Sequence, residues 1–301
     1  MKNITIFKTQ LPTIDALEAL LSQHPHLHHS DCTPIKIHSA GFTKKSTFVK
    51  FPNGIRIDFV YEKKKIPEKT IKRDCDAAIK EFEQNHDRRA NKKETMVIKE
   101  YVKKALCLRA LTEIHTFSAF YHTTTGLLIV DTANKVHASA LMSCLATLNG
   151  SIKTTTLHVS SVSNGLNAAA LECIEDGHLQ VAGFDFGQKL NLRHIEDKSK
   201  TINFSTDYDL DQIDTLLRTG YTIKSLSLHH ADLSFVLTDD FKIKSICTPK
   251  DLFDPADFPS KQEAILHEQG VMLELVSDII AKLLQHFDTV QKLKDKRAEA
   301  A

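Results

Sequence analysis

Histidine and cysteine side chains crowd one short segment near the start of the chain. They are His24, His26, His28, His29 and Cys32. Imidazole nitrogen and thiolate sulfur are donors that suit zinc. Pro25 prevents one regular helix from presenting these rings together, and no carboxylate partner is spaced with them. The pattern favours a solvated loop, and a metal site in the His24–His29 loop stays open as the alternative.

Four aspartates cluster around the start of a predicted helix later in the chain. They are Asp207, Asp209, Asp211 and Asp214. Clustered carboxylates can hold the metal ions of a two-metal nuclease. Negative side chains at a helix start also interact favourably with the helix dipole, which explains the cluster without catalysis. A metal-dependent DNA-processing enzyme that uses the Asp207–Asp214 cluster or the His24–His29 loop is therefore the alternative function.

Motifs for nucleotide binding and nucleophilic catalysis are missing from the sequence. It contains no G-x-G-x-x-G, no G-x-x-x-x-G-K-[ST] and no G-x-S-x-G. The sequence therefore indicates no nucleotide cofactor and no nucleophilic catalytic residue, and our expectation is a chain without catalytic residues, bound metal or cofactor.

Lysine and arginine dominate a third group of residues. The whole chain has a net charge of +1, but residues 41–110 hold 19 basic and 10 acidic residues, whereas residues 201–301 carry a net charge of −6. Such a basic segment can follow DNA phosphates and bind them without sequence preference, although the interleaved acids also fit a solvated surface. With no Trp and 5 Tyr, a stacking platform for single strands is not indicated, so duplex is favoured. The candidate phosphate contacts are Lys44, Lys45, Lys72, Arg73, Lys80, Arg88, Arg89, Lys92, Lys93 and Arg109.

The elements that position the basic residues can be read from local patterns. Asn53-Gly54 lies between two alternating runs, which predicts a β-hairpin. Two charged helices are expected at about 67–85 and 95–112, joined by a polar elbow, with Pro67 in the first turn. The two helices and the elbow between them carry eight of the ten candidate phosphate contacts.

The rest of the chain mixes strands and helices. Strands are predicted at 3–7, 114–121, 127–130, 153–159 and 178–184, with others inside 34–60 and a three-stranded meander over 221–247. Helices are predicted to follow Thr13 and Thr132 as N-caps and to span 164–174, 209–219 and 261–294. The fold class is therefore α+β, with antiparallel sheets and long helices. We expect one interleaved subunit of four parts: 1–66, 67–112, 113–205 and 206–301.

Composition places the chain among ordinary globular proteins. Hydrophobic residues make up 42% and charged residues 26%. The most apolar C-terminal stretch is interrupted by Glu274, Asp278 and Lys282, so no membrane span is expected. The six cysteines are scattered, as in proteins with reduced thiols, and the N-terminus shows no signal-peptide pattern. We therefore expect a cytoplasmic protein.

Three stretches of the chain resemble the RdgC family of recombination-associated proteins. The first begins at Ile66-Pro67-Glu68 and continues through the charged helix pair. The second runs from Leu106-Cys107-Leu108-Arg109-Ala110-Leu111 to Asp131, and the third runs from Gly220 to Ile246. The resemblance extends from about residue 34 to residue 290, whereas the first 33 residues match only loosely.

The resemblance implies a DNA-binding protein without enzymatic activity. Family members form an elongated subunit that assembles into a ring-shaped homodimer, bind double-stranded DNA with little sequence preference and oppose the RecA recombinase. This implies duplex DNA and a second copy of the chain as partners, no membrane partner, and a nucleoid-associated location in the cytoplasm.

This chain departs from the family pattern at positions that bear on assembly. Phe42 stands where the family tends to carry Trp. Leu111 replaces a Phe of a dimer contact, so Leu111 is the candidate dimer contact here. Asn203-Phe204-Ser205-Thr206 replaces a basic stretch, which puts a second dimer contact in doubt.

A further hypothesis comes from the apolar face of the C-terminal helix. On this hypothesis the chain is an interaction protein that binds a protein partner with that helix.

Overall fold

The computed structural model describes residues 1–32, 36–150, 155–156, 162–177, 180–206, 208–248 and 258–299. In this part of the chain, two antiparallel sheets combine with helices on their faces, so the expected α+β class is confirmed. One sheet is built largely from the first half of the chain, and the other from the second half.

The first sheet has seven strands: β1 (Thr5–Lys8), β2 (His38–Phe42), β3 (Phe48–Phe51), β4 (Gly54–Lys64), β5 (Thr112–His122), β6 (Leu127–Val130) and β7 (Thr155–Thr156). Their order is β2-β4-β5-β6-β1-β7, and β3 also pairs with β4. Helices α1 (Ile14–Gln23) and α4 (Lys135–Asn149) pack on one face of this sheet, and two further helices, α2 (Glu68–His86) and α3 (Lys92–Arg109), are inserted between β4 and β5.

The second sheet has six strands: β8 (Gln180–Val181), β9 (Phe184–His194), β10 (Thr201–Phe204), β11 (Tyr221–His230), β12 (Leu233–Thr238) and β13 (Ile243–Cys247). Their order is β10-β9-β11-β12-β13, and β8 pairs with β9. The remaining helices are α5 (Val162–Asp176), α6 (Leu210–Arg218) and the long α7 (Lys261–Glu299). No helix in the described part of the chain is long and apolar enough to cross a membrane.

Strand periodicity divides the core into two hydrophobic clusters. Ile57 and Phe59 of β4 point to the face covered by α1 and α4. Phe120 of β5 and Ile129 of β6 point to the opposite face, where they join α7 and the second sheet around the fully buried Leu273. Burial of each such side chain contributes roughly 1.5–3 kcal/mol relative to leaving it exposed.

Direct contacts join the two sheets. The amide of Ile4 donates to the carbonyl of Ile243 at 2.8 Å, and the amide of Ile246 donates to the carbonyl of Lys2 at 3.1 Å. Lys135, at the start of α4, forms an ion pair of 3.3 Å with Asp240 in the turn after β12. The two hydrogen bonds hold the residues just before β1, the first strand, against β13, the last strand.

Several local predictions are confirmed and others are wrong. The predicted hairpin is confirmed, but its two turn residues are Pro52 and Asn53, with Asn53 at a φ of 64°, because Gly54, in β4, already pairs with Phe51. The N-cap of α4 is Asn134 rather than Thr132, whose hydroxyl oxygen accepts from the Asn134 amide instead. Strands β9 and β10 were not predicted, because Gly187-Gln188-Lys189 interrupts the apolar alternation in β9.

Candidate nucleic-acid interface

A helical hairpin carries most of the predicted phosphate contacts. Its helices α2 and α3 pack mainly against each other, and their contact buries Cys75 and Val102. The 19 residues of α2 give it a length of about 28 Å. We call this element, residues 68–109, the basic hairpin, because it holds 12 Lys and Arg against 8 Asp and Glu.

The outer side of α2 presents cations to solvent. Lys69, Arg73 and Lys80 lie opposite the apolar face and are exposed, and Lys72 is exposed beside them. Arg73 donates to the neighbouring Asp74 at 2.8 Å, a surface contact of small energetic value. In the described part of the chain, Lys69, Lys72 and Lys80 form no ion pair with an acidic side chain, so their charges can meet an external anion.

A capping box fixes the turn of the basic hairpin. Asn91 is the N-cap of α3, and its side-chain oxygen accepts the amides of Lys93 and Glu94 at 2.9 and 3.0 Å. Glu94 accepts the Asn91 amide at 2.9 Å in return. Asp87 ends α2 in the left-handed region, with φ 47°. These bonds satisfy the amides at the start of α3 and explain why this helix begins at Lys92 rather than near residue 95.

Arg88 clamps the same turn. Its guanidinium donates to both carboxylate oxygens of Glu94, at 2.9 and 2.6 Å, and lies 5.6 Å from the centroid of the Phe82 ring. The bonds from Arg88 and from the Asn91 amide lower the pKa of Glu94 to about 2. The predicted phosphate contact Arg88 is thus engaged in holding the turn.

The other basic residues of the turn remain exposed. Arg89, Lys92 and Lys93 form no ion pair with an acidic side chain in the described ranges. The turn places them together at the far end of the basic hairpin, where the helix pair is farthest from its attachment to the first sheet. We call these three residues the hairpin tip, and they are the most accessible of the predicted contacts.

The opposite end of the basic hairpin is tied to the first sheet. Lys64 is buried at the end of β4, and its ammonium donates to the carbonyl of Cys107 at 2.8 Å, near the C-terminus of α3. This position is favourable for a cation beside the helix dipole. The predicted contact Arg109 lies in the last turn of α3 and is exposed. The base of the basic hairpin is therefore fixed while its surface stays cationic.

Lys44 and Lys45 lie apart from the basic hairpin. They are exposed in the turn between β2 and β3, which hydrogen-bonds to Asp58 in β4 through the backbone of Thr43 and Thr47. Asp58 is six residues before Lys64, about 20 Å along the strand from the base of the basic hairpin. The structure does not bring these two lysines to the other predicted contacts.

An exposed apolar stripe, which the sequence analysis missed, runs along α3. Val97, Tyr101 and Leu108 are spaced four and seven residues apart, so they share one face, and Tyr101 is 74% exposed. Leu111, the candidate dimer contact, follows directly and is 82% exposed. A helix with apolar residues on two faces, one of them packed on α2, is the signal in the sequence that indicates this second surface.

The aspartate cluster has structural partners. Asp209 is the N-cap of α6 and accepts the amide of Asp211 at 3.2 Å. The Nε–H of Arg218 donates to both carboxylate oxygens of Asp214, at 2.8 and 2.7 Å. Asp207 lies outside the described residues. The capping and the i,i+4 pair account for Asp209 and Asp214 without a metal.

The histidine loop is divided among different contacts. The rings of His24 and His26 lie 5.6 Å apart, and Nδ1 of His28 is 2.9 Å from the carbonyl oxygen of Thr43. His29 points elsewhere: its Nε2 is 3.1 Å from Oε2 of Glu62 in β4. Sequence spacing did not connect Glu62 with this loop, because the sheet brings together residues 33 positions apart.

The arrangement defines an α+β protein of two joined antiparallel sheets with a basic helical hairpin inserted into the first. The model of a protein family described as "Putative exonuclease, RdgC" matches residues 1–290 of this chain. The chain therefore belongs to the RdgC family.

Relatives agree with this assignment. A protein of Neisseria meningitidis serogroup C (strain 053442), named "Recombination-associated protein RdgC", is 26% identical over 292 residues, which cover 93% of this chain and 94% of the relative. A protein of the same name from Shewanella oneidensis is 23% identical over 253 residues, with 81% and 82% coverage.

Proposed function

We propose that this protein binds double-stranded DNA without sequence preference, and that the basic hairpin supplies the main contact. The observation that carries the proposal is the hairpin tip: Arg89, Lys92 and Lys93 are exposed and grouped on a turn that a capping box and the Arg88–Glu94 clamp hold in place. Because the cations are presented by a preformed element, little ordering is needed when they meet phosphates.

The chemistry of the basic hairpin favours backbone contacts over base readout. Lysine and arginine neutralise phosphates and release counterions, a sequence-independent source of affinity. Cations along α2 and at the hairpin tip are arranged over about 28 Å, a length that spans roughly eight base pairs of duplex. Positioning of this kind carries no sequence information directly.

We also propose that the protein acts as a homodimer. The apolar stripe of Val97, Tyr101, Leu108 and Leu111 exposes large side chains beside the basic hairpin, and a surface of this kind is typical of a protein–protein contact. Contact between two copies through this stripe would place two basic hairpins in one assembly. A ring around the duplex is the closed form of such a dimer, and a closed ring explains how phosphate contacts alone can retain DNA.

The proposed biological role follows from occupancy of the duplex. Two relatives carry "recombination-associated" in their names. A protein that covers duplex without sequence preference competes with any recombinase that needs the same DNA, so we propose that it opposes RecA-dependent recombination in the cytoplasm, at the nucleoid.

The word "exonuclease" in the family description supports a second candidate function, that of a metal-dependent nuclease. A metal-dependent nuclease requires carboxylate or histidine ligands, and the group that favours it here is His29 with Asp31 and Glu62. The members of this group lie in the loop after the 3-10 turn Pro25–Leu27 and in β4.

Incubation with an end-labelled duplex distinguishes the two functions. The protein is mixed with the duplex in Mg²⁺, Mn²⁺ or Zn²⁺, and gel shift and release of label are followed in parallel. We expect a shifted, intact duplex in every metal. Cleavage that disappears in His29→Ala and persists in His26→Ala would contradict the proposal and support the nuclease.

A further inference from the structure

Three side chains of different chemistry converge beside the first sheet. One imidazole nitrogen of His29 and one carboxylate oxygen each from Asp31 and Glu62 lie within 4.8 Å of one another. Nε2 of His29 and Oε2 of Glu62 are 3.1 Å apart. Ligand atoms about 2.1 Å from a tetrahedral zinc lie about 3.4 Å apart, so the His29 and Glu62 donor atoms, 3.1 Å apart, lie within about 0.3 Å of that separation.

The backbone around His29 is held firmly against the sheet. The amide of His29 donates to the carbonyl of Phe42 at 2.8 Å, and the hydroxyl of Ser39 donates to the carbonyl of Ser30 at 2.6 Å. Gly41 allows this approach, because a Cβ there would lie 2.5 Å from the nitrogen of His29. Position 29 is therefore fixed above β2 and the adjoining β4.

Glu62 is the buried member of the group. It is 3% exposed in the middle strand of three, between β2 and β5. Its Oε2 accepts the amide of Cys32 at 2.9 Å as well as facing the ring of His29. A buried carboxylate is costly unless opposite charge compensates it. A dication beside Glu62 would add to the compensation that these hydrogen bonds provide.

The donor set indicates a class of metal. One imidazole and two carboxylates suit first-row transition metals such as zinc, manganese and iron, whereas calcium and magnesium prefer oxygen donors alone. Three protein ligands leave one tetrahedral position for water. The exposed Asp31 gives the ion a path from solvent.

We propose that His29, Asp31 and Glu62 bind one divalent transition-metal ion of the zinc class, which fastens the loop of residues 28–32 to β4. The site depends on contacts within the first sheet and is independent of the proposed binding of duplex DNA, and the same three residues form the group that the nuclease alternative would use. It also differs from a site made by the clustered histidines, because His24 and His26 take no part in it.

Zinc titration by calorimetry, with metal content measured after gel filtration, tests the site. We expect one zinc per chain and a higher melting temperature with zinc than with a chelator. His29→Ala and Glu62→Gln should weaken zinc binding by more than roughly tenfold, the loss caused even by removing a partner that supports a metal ligand. The matched control His24→Ala/His26→Ala should bind zinc like the wild type.

Further variants separate loss of the site from loss of the fold. Asp31 is exposed, so the Asp31→Asn variant should fold even if the Glu62→Gln variant does not. Asp31→Asn should also weaken zinc binding. Zinc binding that survives His29→Ala and Asp31→Asn, that is lost in the His24→Ala/His26→Ala control, or that is absent from the wild type at micromolar zinc would overturn the proposal.

Discussion

Neutralising the hairpin tip should weaken DNA binding and flatten its dependence on salt. The perturbation is the triple substitution Arg89→Gln, Lys92→Gln and Lys93→Gln. These side chains are exposed and form no ion pair with an acidic side chain in the described part of the chain, so their loss should leave the fold intact. Arg88 is spared because it clamps the turn through Glu94.

The size of the effect follows from counterion release. Each phosphate contact contributes about 0.9 to the slope of log K against log salt, so three lost contacts should make the slope shallower by about 2.7. Between about 50 and 200 mM salt, the wild type should then lose about 40-fold more affinity than the variant does. The two affinities should converge as the salt concentration rises.

Fluorescence anisotropy with a labelled duplex measures both slopes. The matched control is Lys189→Gln, Arg193→Gln and Lys198→Gln, which removes the same charge from exposed positions in β9 and the loop after it. The control should keep the wild-type slope. A tip variant with the wild-type slope, or a control that flattens the slope equally, would refute the assignment of the hairpin tip to DNA.

Other substitutions test the dimer, the capping box, the tie between the sheets and the packing of the loop. Leu111→Asp should convert the dimer to a folded monomer, because it places a charge in the apolar stripe; light scattering after gel filtration measures the mass, and an unchanged mass contradicts the contact. Asn91→Ala should lower the free energy of unfolding by about 1 kcal/mol in urea titrations, and hydrogen exchange should locate the loss at the start of α3. Burial alone would raise the pKa of Asp240, but hydrogen bonds from Thr238 and Lys242 lower it to about 2. The contribution of this carboxylate to the stability of the fold is therefore complete above about pH 4 and is lost as the pH falls towards 2. Asp240→Asn should show a weaker loss of stability over this window. Gly41→Ala should lower the melting temperature, because its Cβ would meet the backbone nitrogen of His29 at 2.5 Å; an unchanged temperature would show that the loop yields easily.

Local rules predicted the elements whose signals lie within a few residues. The Pro52-Asn53-Gly54 segment predicted the β3–β4 hairpin, although the turn itself is Pro52-Asn53, and the charged sequence after Pro67 indicated both helices of the basic hairpin. The caps were harder to predict, since Thr132 and Asn134 are both good capping residues and the sequence alone does not choose between them.

Features that depend on contacts between distant residues were not predictable. Strand β9 pairs with β8, β10 and β11 along its length, and this pairing holds a strand that contains Gly187 in its interior. Glu62 meets His29 only because β2 and β4 are neighbours, and Lys64 reaches Cys107 only because α3 returns to the end of β4. Tertiary contacts override local propensity at such places.

The candidate interface was partly visible in the sequence. The charge count identified the segment that contains the basic hairpin, and the resemblance identified Leu111. The count could not show that Arg88 is engaged with Glu94, or that Lys44 and Lys45 lie about 20 Å along β4 from the base of the hairpin. Charge along a chain predicts that a cationic surface exists, but the fold decides which cations share it.

We propose above all that the protein binds duplex DNA through phosphates and without sequence preference. The most direct measurement is the affinity of the wild type for two duplexes of equal length and unrelated sequence, across a range of salt concentrations. We expect the two affinities to agree and log K to fall linearly with log salt, with the same slope for both duplexes. An affinity that ignores salt, or that strongly prefers one sequence, would contradict the claim.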